Sequence, residues 1–108
     1  MLGLMHNALE GKGYRVDSCE DGQSAFEKHS KERYKLIITD HTMQGMTGVE
    51  LINAIRSRLD HTPIILMTSY DLNELITPEQ NLERVDFLRK PFGLSDLYSA
   101  VRNAIQAP

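Results

Sequence analysis

Apolar and polar positions change period several times along this chain. Leu2, Met5, Ala8 and Leu9 share one face at helical spacing, and Gly11 and Gly13 follow where a helix stop is expected. Tyr14-Arg15-Val16-Asp17-Ser18-Cys19 alternates in part and predicts a short strand, with Glu20-Asp21-Gly22 as its exit turn. A second helix follows with Ala25, Phe26 and His29 on one face, where His29 reads as a packing or polar residue rather than a ligand. Tyr34-Lys35 then leads into Leu36-Ile37-Ile38-Thr39-Asp40. An aliphatic run without alternation predicts a parallel strand buried on both faces, ending in a carboxylate.

The loop after Asp40, from Thr42 to Gly48, contains Gly45 and Gly48, which permit backbone conformations closed to other residues. Thr47 and Glu50 have the spacing of a capping box, so a third helix is expected to start there and to turn Leu51, Ile52 and Ile55 inward. Pro63-Ile64-Ile65-Leu66-Met67-Thr68 predicts a second buried parallel strand, ending in a hydroxyl. Between Ser69 and Arg84, Asp71 to Ile76 has helical character but Pro78 cannot donate a backbone hydrogen bond, so a short or broken helix is expected. Val85 to Lys90 predicts a short strand stopped by Pro91. Ser95 is then the expected cap of a last helix that buries Leu97, Val101 and Ala104 or Ile105. Strand and helix alternate, which predicts an α/β fold with a parallel sheet of four strands and five helices, the fourth irregular.

Composition narrows the function classes. The 108 residues suit one domain with a real core. The formal charge is −3 and the twelve Lys and Arg are scattered along the sequence, so neither direct nucleic-acid binding nor an anionic membrane is expected. One cysteine cannot form an internal disulfide, and the start lacks the pattern of a signal peptide, so a reduced, cytoplasmic setting is expected.

Three strands are expected to end in Asp40, Thr68 and Lys90. In open α/β sheets that edge is where ligand and catalytic groups collect. Singly, an Asp there serves as a turn former or helix cap, a Thr as a cap and a Lys as a solvated strand end. Jointly they suggest phosphoryl chemistry. A carboxylate can accept a phosphoryl group as an acyl phosphate, a hydroxyl can hydrogen-bond its oxygens and an ammonium can neutralise it.

These pieces carry a resemblance. Leu36 to Asp40 with Met43, Gly45, Met46 and Gly48 after it, then Ile65 to Tyr70, then Phe87-Leu88-Arg89-Lys90-Pro91-Phe92, make the chain similar to the receiver domain of bacterial two-component response regulators. The resemblance covers nearly all of the chain, read as one domain over 1–108, and implies a flavodoxin-like doubly wound fold. It implies Asp40 as phosphoacceptor, Thr68 as the hydroxyl that swings toward the phosphoryl group, Lys90 as the ion-pairing lysine and Phe87 with Thr68 as the switch. The phosphoryl donor would be a histidine kinase or phosphotransfer protein. The chain would be a substrate with slow self-hydrolysis rather than an enzyme with turnover. For Mg²⁺, it implies Asp40 and the backbone carbonyl of Thr42 as ligands.

The departures are equally specific. The family's first strand, ending in an acidic pair, has no counterpart after Met1, so the domain is expected to be N-terminally incomplete and Mg²⁺ weakly bound or absent. Gln44, Thr47 and Glu83-Arg84 also depart from the family pattern. Either the sequence belongs to a longer natural chain, or the protein closes the gap or exchanges elements between subunits, and a homodimer is expected. The rival function is a phosphorylation-independent interaction or dimerisation module without a working Mg²⁺ site.

Overall fold

The computed structural model describes residues 2–19, 21–41, 45–69 and 82–106, with side-chain surroundings from His6 onward. In chain order the elements are α1 (Leu2–Gly11), α2 (Gly22–Lys31), β1 (Ile37–Asp40), α3 (Gly48–Arg56), β2 (Ile64–Thr68), β3 (Val85–Arg89) and α4 (Leu94–Gln106). The expected inward packing of Leu2 and Met5, and the irregular helix expected around Asp71 to Pro78, lie outside the described side chains and residues.

The strands form a parallel sheet in the order β1-β2-β3. Central β2 is buried along its whole length, with Ile64, Ile65 and Leu66 all at 0% exposure. Its side chains alternate between two cores, as strand geometry requires. Ile65 and Met67 pack with Leu9 of α1 and with Leu97, Val101 and Ala104 of α4. Ile64 and Leu66 pack with Leu51, Ile52 and Ile55 of α3, and Ala25 and Phe26 of α2 lie against that cluster. Helices therefore cover both faces, and each fully buried β2 aliphatic contributes about 1.5–3 kcal/mol.

The helix ends follow local chemistry. Asp21 caps α2 by accepting from Ser24 N at 2.7 Å. The expected capping box opens α3: Glu50 N donates to Thr47 Oγ1 at 3.1 Å and Thr47 N to Glu50 Oε1 at 2.9 Å. These bonds from Thr47 hold the exposed Glu50 carboxyl below the usual carboxylate range. Gly13 takes φ +93° in the turn after α1. Ser95, expected as the last cap, lies inside α4. Gly93 precedes the helix instead, its N–H donating to Asp96 Oδ2 at 3.1 Å and its carbonyl accepting from Leu97 N at 3.2 Å.

Two strand expectations are corrected. Tyr14 to Cys19 carries no ladder, so the described residues contain three strands rather than four. Tyr14 and Val16 do pack against the core that Leu36 and Ile38 join. The sequence pattern reports burial, whereas a strand also needs a neighbour to pair with. The segment is tied down by side chains: Tyr34 OH donates to Asp17, and His6 Nδ1 lies 2.6 Å from Ser18 Oγ. The bond from Tyr34 lowers the Asp17 carboxyl and raises the Tyr34 phenol. Secondly, β1 is half-buried at Ile37 and Ile38 rather than buried on both faces, because it stands at the edge of the described sheet and β2 at its centre.

Candidate functional site

β1 ends at Asp40, β2 at Thr68 and β3 at Arg89, with Lys90 next in the chain. The register places Asp40 beside Met67 and Thr68 beside Arg89, so all three ends stand on one edge. Backbone bonds continue past the ladder, from His41 N to Met67 O and from Lys90 N to Thr68 O, both at 2.9 Å. They fix the directions in which the three chains leave the sheet. The Lys90 ammonium then reaches across the end of β2 and donates to Asp40 Oδ2. Thr68 lies between them in the sheet, at 2% exposure. The Asp40 and Lys90 side chains are 32% and 26% exposed, open enough for a reagent to approach.

The predicted trio is thus gathered at one edge. Phe87 stands beside Leu66 in the β2–β3 pairing, half-buried against the core under α2 and α3. Thr42 lies outside the described residues. An exposed carboxylate oxygen beside an ammonium is suited to nucleophilic attack on phosphorus, with the cation placed to receive the incoming negative charge.

Gly48 is a positioning residue whose role the sequence reading missed. Its N–H donates to His41 O at 2.9 Å. A Cβ there would fall 2.4 Å from Leu66 Cδ1 and 2.9 Å from both Asp40 O and His41 Cα. Only glycine lets the start of α3 press against the acceptor strand. The available signal was a glycine in a helix's first turn, where it has no propensity advantage.

A polar network at the opposite end of the sheet was also missed. Arg56, 6% exposed, donates to Asp60 O at 2.7 Å, to Thr62 O at 2.9 Å, and to Glu83 O from Nε at 3.1 Å and Nη2 at 2.8 Å. Burial lowers its pKa, and Asp60 and Glu83 oppose that shift. Buried His29 lies with Nε2 2.8 Å from Asp60 Oδ2, and its Nδ1 accepts from Tyr34 N at 3.2 Å. His29 is a structural residue, as expected. Burial pushes the Asp60 carboxyl up, but hydrogen bonds from Thr62 Oγ1 and N, then from His29, outweigh it and hold the group well below the usual carboxylate range.

The sequence matches the family described as response regulator receiver domain over residues 1–102. The chain belongs to that family. A transcriptional regulatory protein, CrdR of Helicobacter pylori, is 34% identical over 95 residues, covering 87% of this chain and 45% of that protein. Sporulation initiation phosphotransferase F of Bacillus subtilis is 25% identical over 99 residues, covering 92% and 80%. Among solved structures, a two-component response regulator from Clostridium difficile superposes with TM-score 0.84 at 26% identity, covering 98% of this chain and 87% of that one. The receiver domain of a sensor histidine kinase from Pseudomonas aeruginosa, with magnesium coordinated in its active-site cleft, gives 0.85 at 24% identity, covering 98% and 88%. The receiver chain spans less than half the length of the first transcriptional regulators it matches.

Membership makes the fold a flavodoxin-like α/β receiver and the function phosphoacceptor signalling, and nothing favours the rival interaction module. No described helix is long and apolar enough to cross a membrane. Of the expected Mg²⁺ ligands, Asp40 is among the described residues and Thr42 is not. Among the described residues no three metal-ligating side chains converge, and at the strand edge Asp40 faces the Lys90 ammonium.

Proposed function

We propose that Asp40 accepts a phosphoryl group from the phosphohistidine of a histidine kinase or phosphotransfer protein. An Asp40 carboxylate oxygen forms the new bond to phosphorus as the phosphorus–nitrogen bond breaks, and the donor imidazole leaves with the bonding pair and is protonated. Lys90 neutralises the added charge and Thr68 donates a hydrogen bond to a phosphoryl oxygen, and Thr68 with Phe87 carries the change to a partner surface. The observation that carries this reading is the Lys90 ammonium seated on Asp40 across the end of β2. The acyl phosphate hydrolyses slowly, so the chain acts as a substrate of its donor and not as a turnover enzyme. A cytoplasmic setting fits the single cysteine. Mg²⁺ binds this chain weakly, because one carboxylate gains little against the ion's hydration.

The test is acyl phosphate formation with acetyl phosphate, or the beryllofluoride adduct, read by mass spectrometry and amide shifts. The adduct is expected on Asp40 alone and lost in Asp40→Asn. Full labelling of that variant would remove Asp40 from the role.

A further inference from the structure

The far end of the sheet, where the strands begin, holds a second surface. An open cleft of about 420 Å³ is lined there by Arg33, Lys35, Leu59, Asp60, Arg84 and Ile105, among others. It adjoins a cavity of about 220 Å³ that shares Arg33 and Asp60 and adds Arg58. The whole chain carries a formal charge of −3, yet the fold collects four cations here that are dispersed in sequence. The acidic groups nearby are already engaged. Asp60 accepts from Thr62 and His29 and pairs with Arg33 at 3.3 Å, and Glu83 pairs with His61 at 3.4 Å. Arg58 donates to the neutral Ser30 hydroxyl and lies 5.3 Å from the Phe26 ring centre, contacts that leave its charge uncancelled.

Leu59 adds an independent observation. It is 82% exposed and is held at φ +58°, a conformation that a leucine Cβ disfavours. The residue lies in the turn that ends α3, where Leu59 N donates to Arg56 O at 3.0 Å, and that turn sets its side chain out beside the cleft. Ile105, 37% exposed, lines the same cleft.

We infer that this base docks an acidic peptide segment of a partner protein, with carboxylates on Lys35, Arg58 and Arg84 and a large apolar side chain against Leu59 and Ile105. The cleft is open and sets these cations beside Leu59 and Ile105, which suits a short segment carrying both charge and an apolar side chain. A continuous phosphate backbone offers no large apolar side chain to Leu59 and Ile105. This surface is separate from the acceptor edge, so its failure leaves the phosphoacceptor reading untouched.

The experiment is fluorescence anisotropy of a labelled peptide with one leucine flanked by glutamates, against its glutamine counterpart. The glutamate peptide is expected to bind more tightly at low salt, and to lose roughly tenfold or more in Lys35→Glu with Arg84→Glu, and likewise in Leu59→Gly. Leu59→Gly relieves the left-handed turn, so its melting temperature should not fall while binding does. Leu59→Asn, which also tolerates that conformation, should show the same loss. Equal binding of both peptides, retention of affinity in these variants, no measurable binding, or tighter binding to phosphatidylserine vesicles or duplex DNA would each overturn the inference.

Discussion

The Lys90 ammonium donates to the Asp40 carboxylate although fifty positions separate the two residues in sequence. Because both side chains are partly open to solvent, the pair contributes only about 0–1 kcal/mol to stability. Lys90→Ala should therefore melt close to the parent and still take the beryllofluoride adduct on Asp40. What it should lose is the spread of amide shifts to Thr68 and Phe87 when the adduct forms. A parent-like shift pattern in the variant would show that Lys90 does not couple the adduct to the sheet.

Gly48→Ala tests the close approach of α3. A methyl group would need Leu66, in the fully buried strand, or the Asp40 and His41 backbone to move. We expect a loss of about 1–3 kcal/mol in unfolding free energy. Slower labelling of Asp40 should accompany it, since the strand end itself is displaced. Denaturant unfolding with parent-like stability would mean that α3 can back away freely.

Titration with Mg²⁺, followed by amide shifts, should show no saturation in the submillimolar range for this chain. Saturation there would show that other carboxylates have joined Asp40 in holding the ion.

Asp60 has a depressed folded pKa, so the stability it supplies is fully present above its unfolded value of about 3.9 and is lost as pH falls through the folded value. At neutral pH Asp60→Asn should cost about 1–3 kcal/mol through the weakened bonds to Thr62 and His29. As pH falls below about 4 the melting temperatures of parent and variant should draw together, because the unfolded carboxylate protonates first, and they should meet only below the folded value. A difference that stays constant down to the lowest pH at which both remain folded would locate the acid sensitivity elsewhere.

Leu36 just before β1, and Ile37 and Ile38 within it, are half-buried, and covering such side chains fully contributes up to about 1.5–3 kcal/mol each. We expect a two-fold dimer that covers this edge. Light scattering during size-exclusion chromatography decides it, and a monodisperse monomer near 12.3 kDa would refute it.

Sequence showed best what is written in short range or in side-chain type. The capping box at Thr47 and Glu50, the buried run Ile64 to Leu66, and the strand ends at Asp40 and Thr68 were each readable from a few neighbouring residues. Pairing was not readable. Tyr14 to Cys19 has a strand's composition but no ladder, and β1 has a central strand's composition at an edge of the described sheet, because hydropathy registers burial without naming the neighbour. Nor was the polar network around Arg56, His29 and Asp60 legible. Its members come from three separate stretches, and no local pattern links His29 to Asp60 or Arg56 to Glu83.

Arg56 holds the carbonyls of Asp60, Thr62 and Glu83 in one guanidinium grip, joining the chain just before β2 to the chain just before β3. Those two entrances cannot separate without leaving a charged donor group unsatisfied in a buried place. β2 and β3 are therefore anchored at their beginnings like tines set in a common handle, at the end of the sheet opposite Asp40. A protein bound at the base would rest where one buried guanidinium clamps the two strand entrances together.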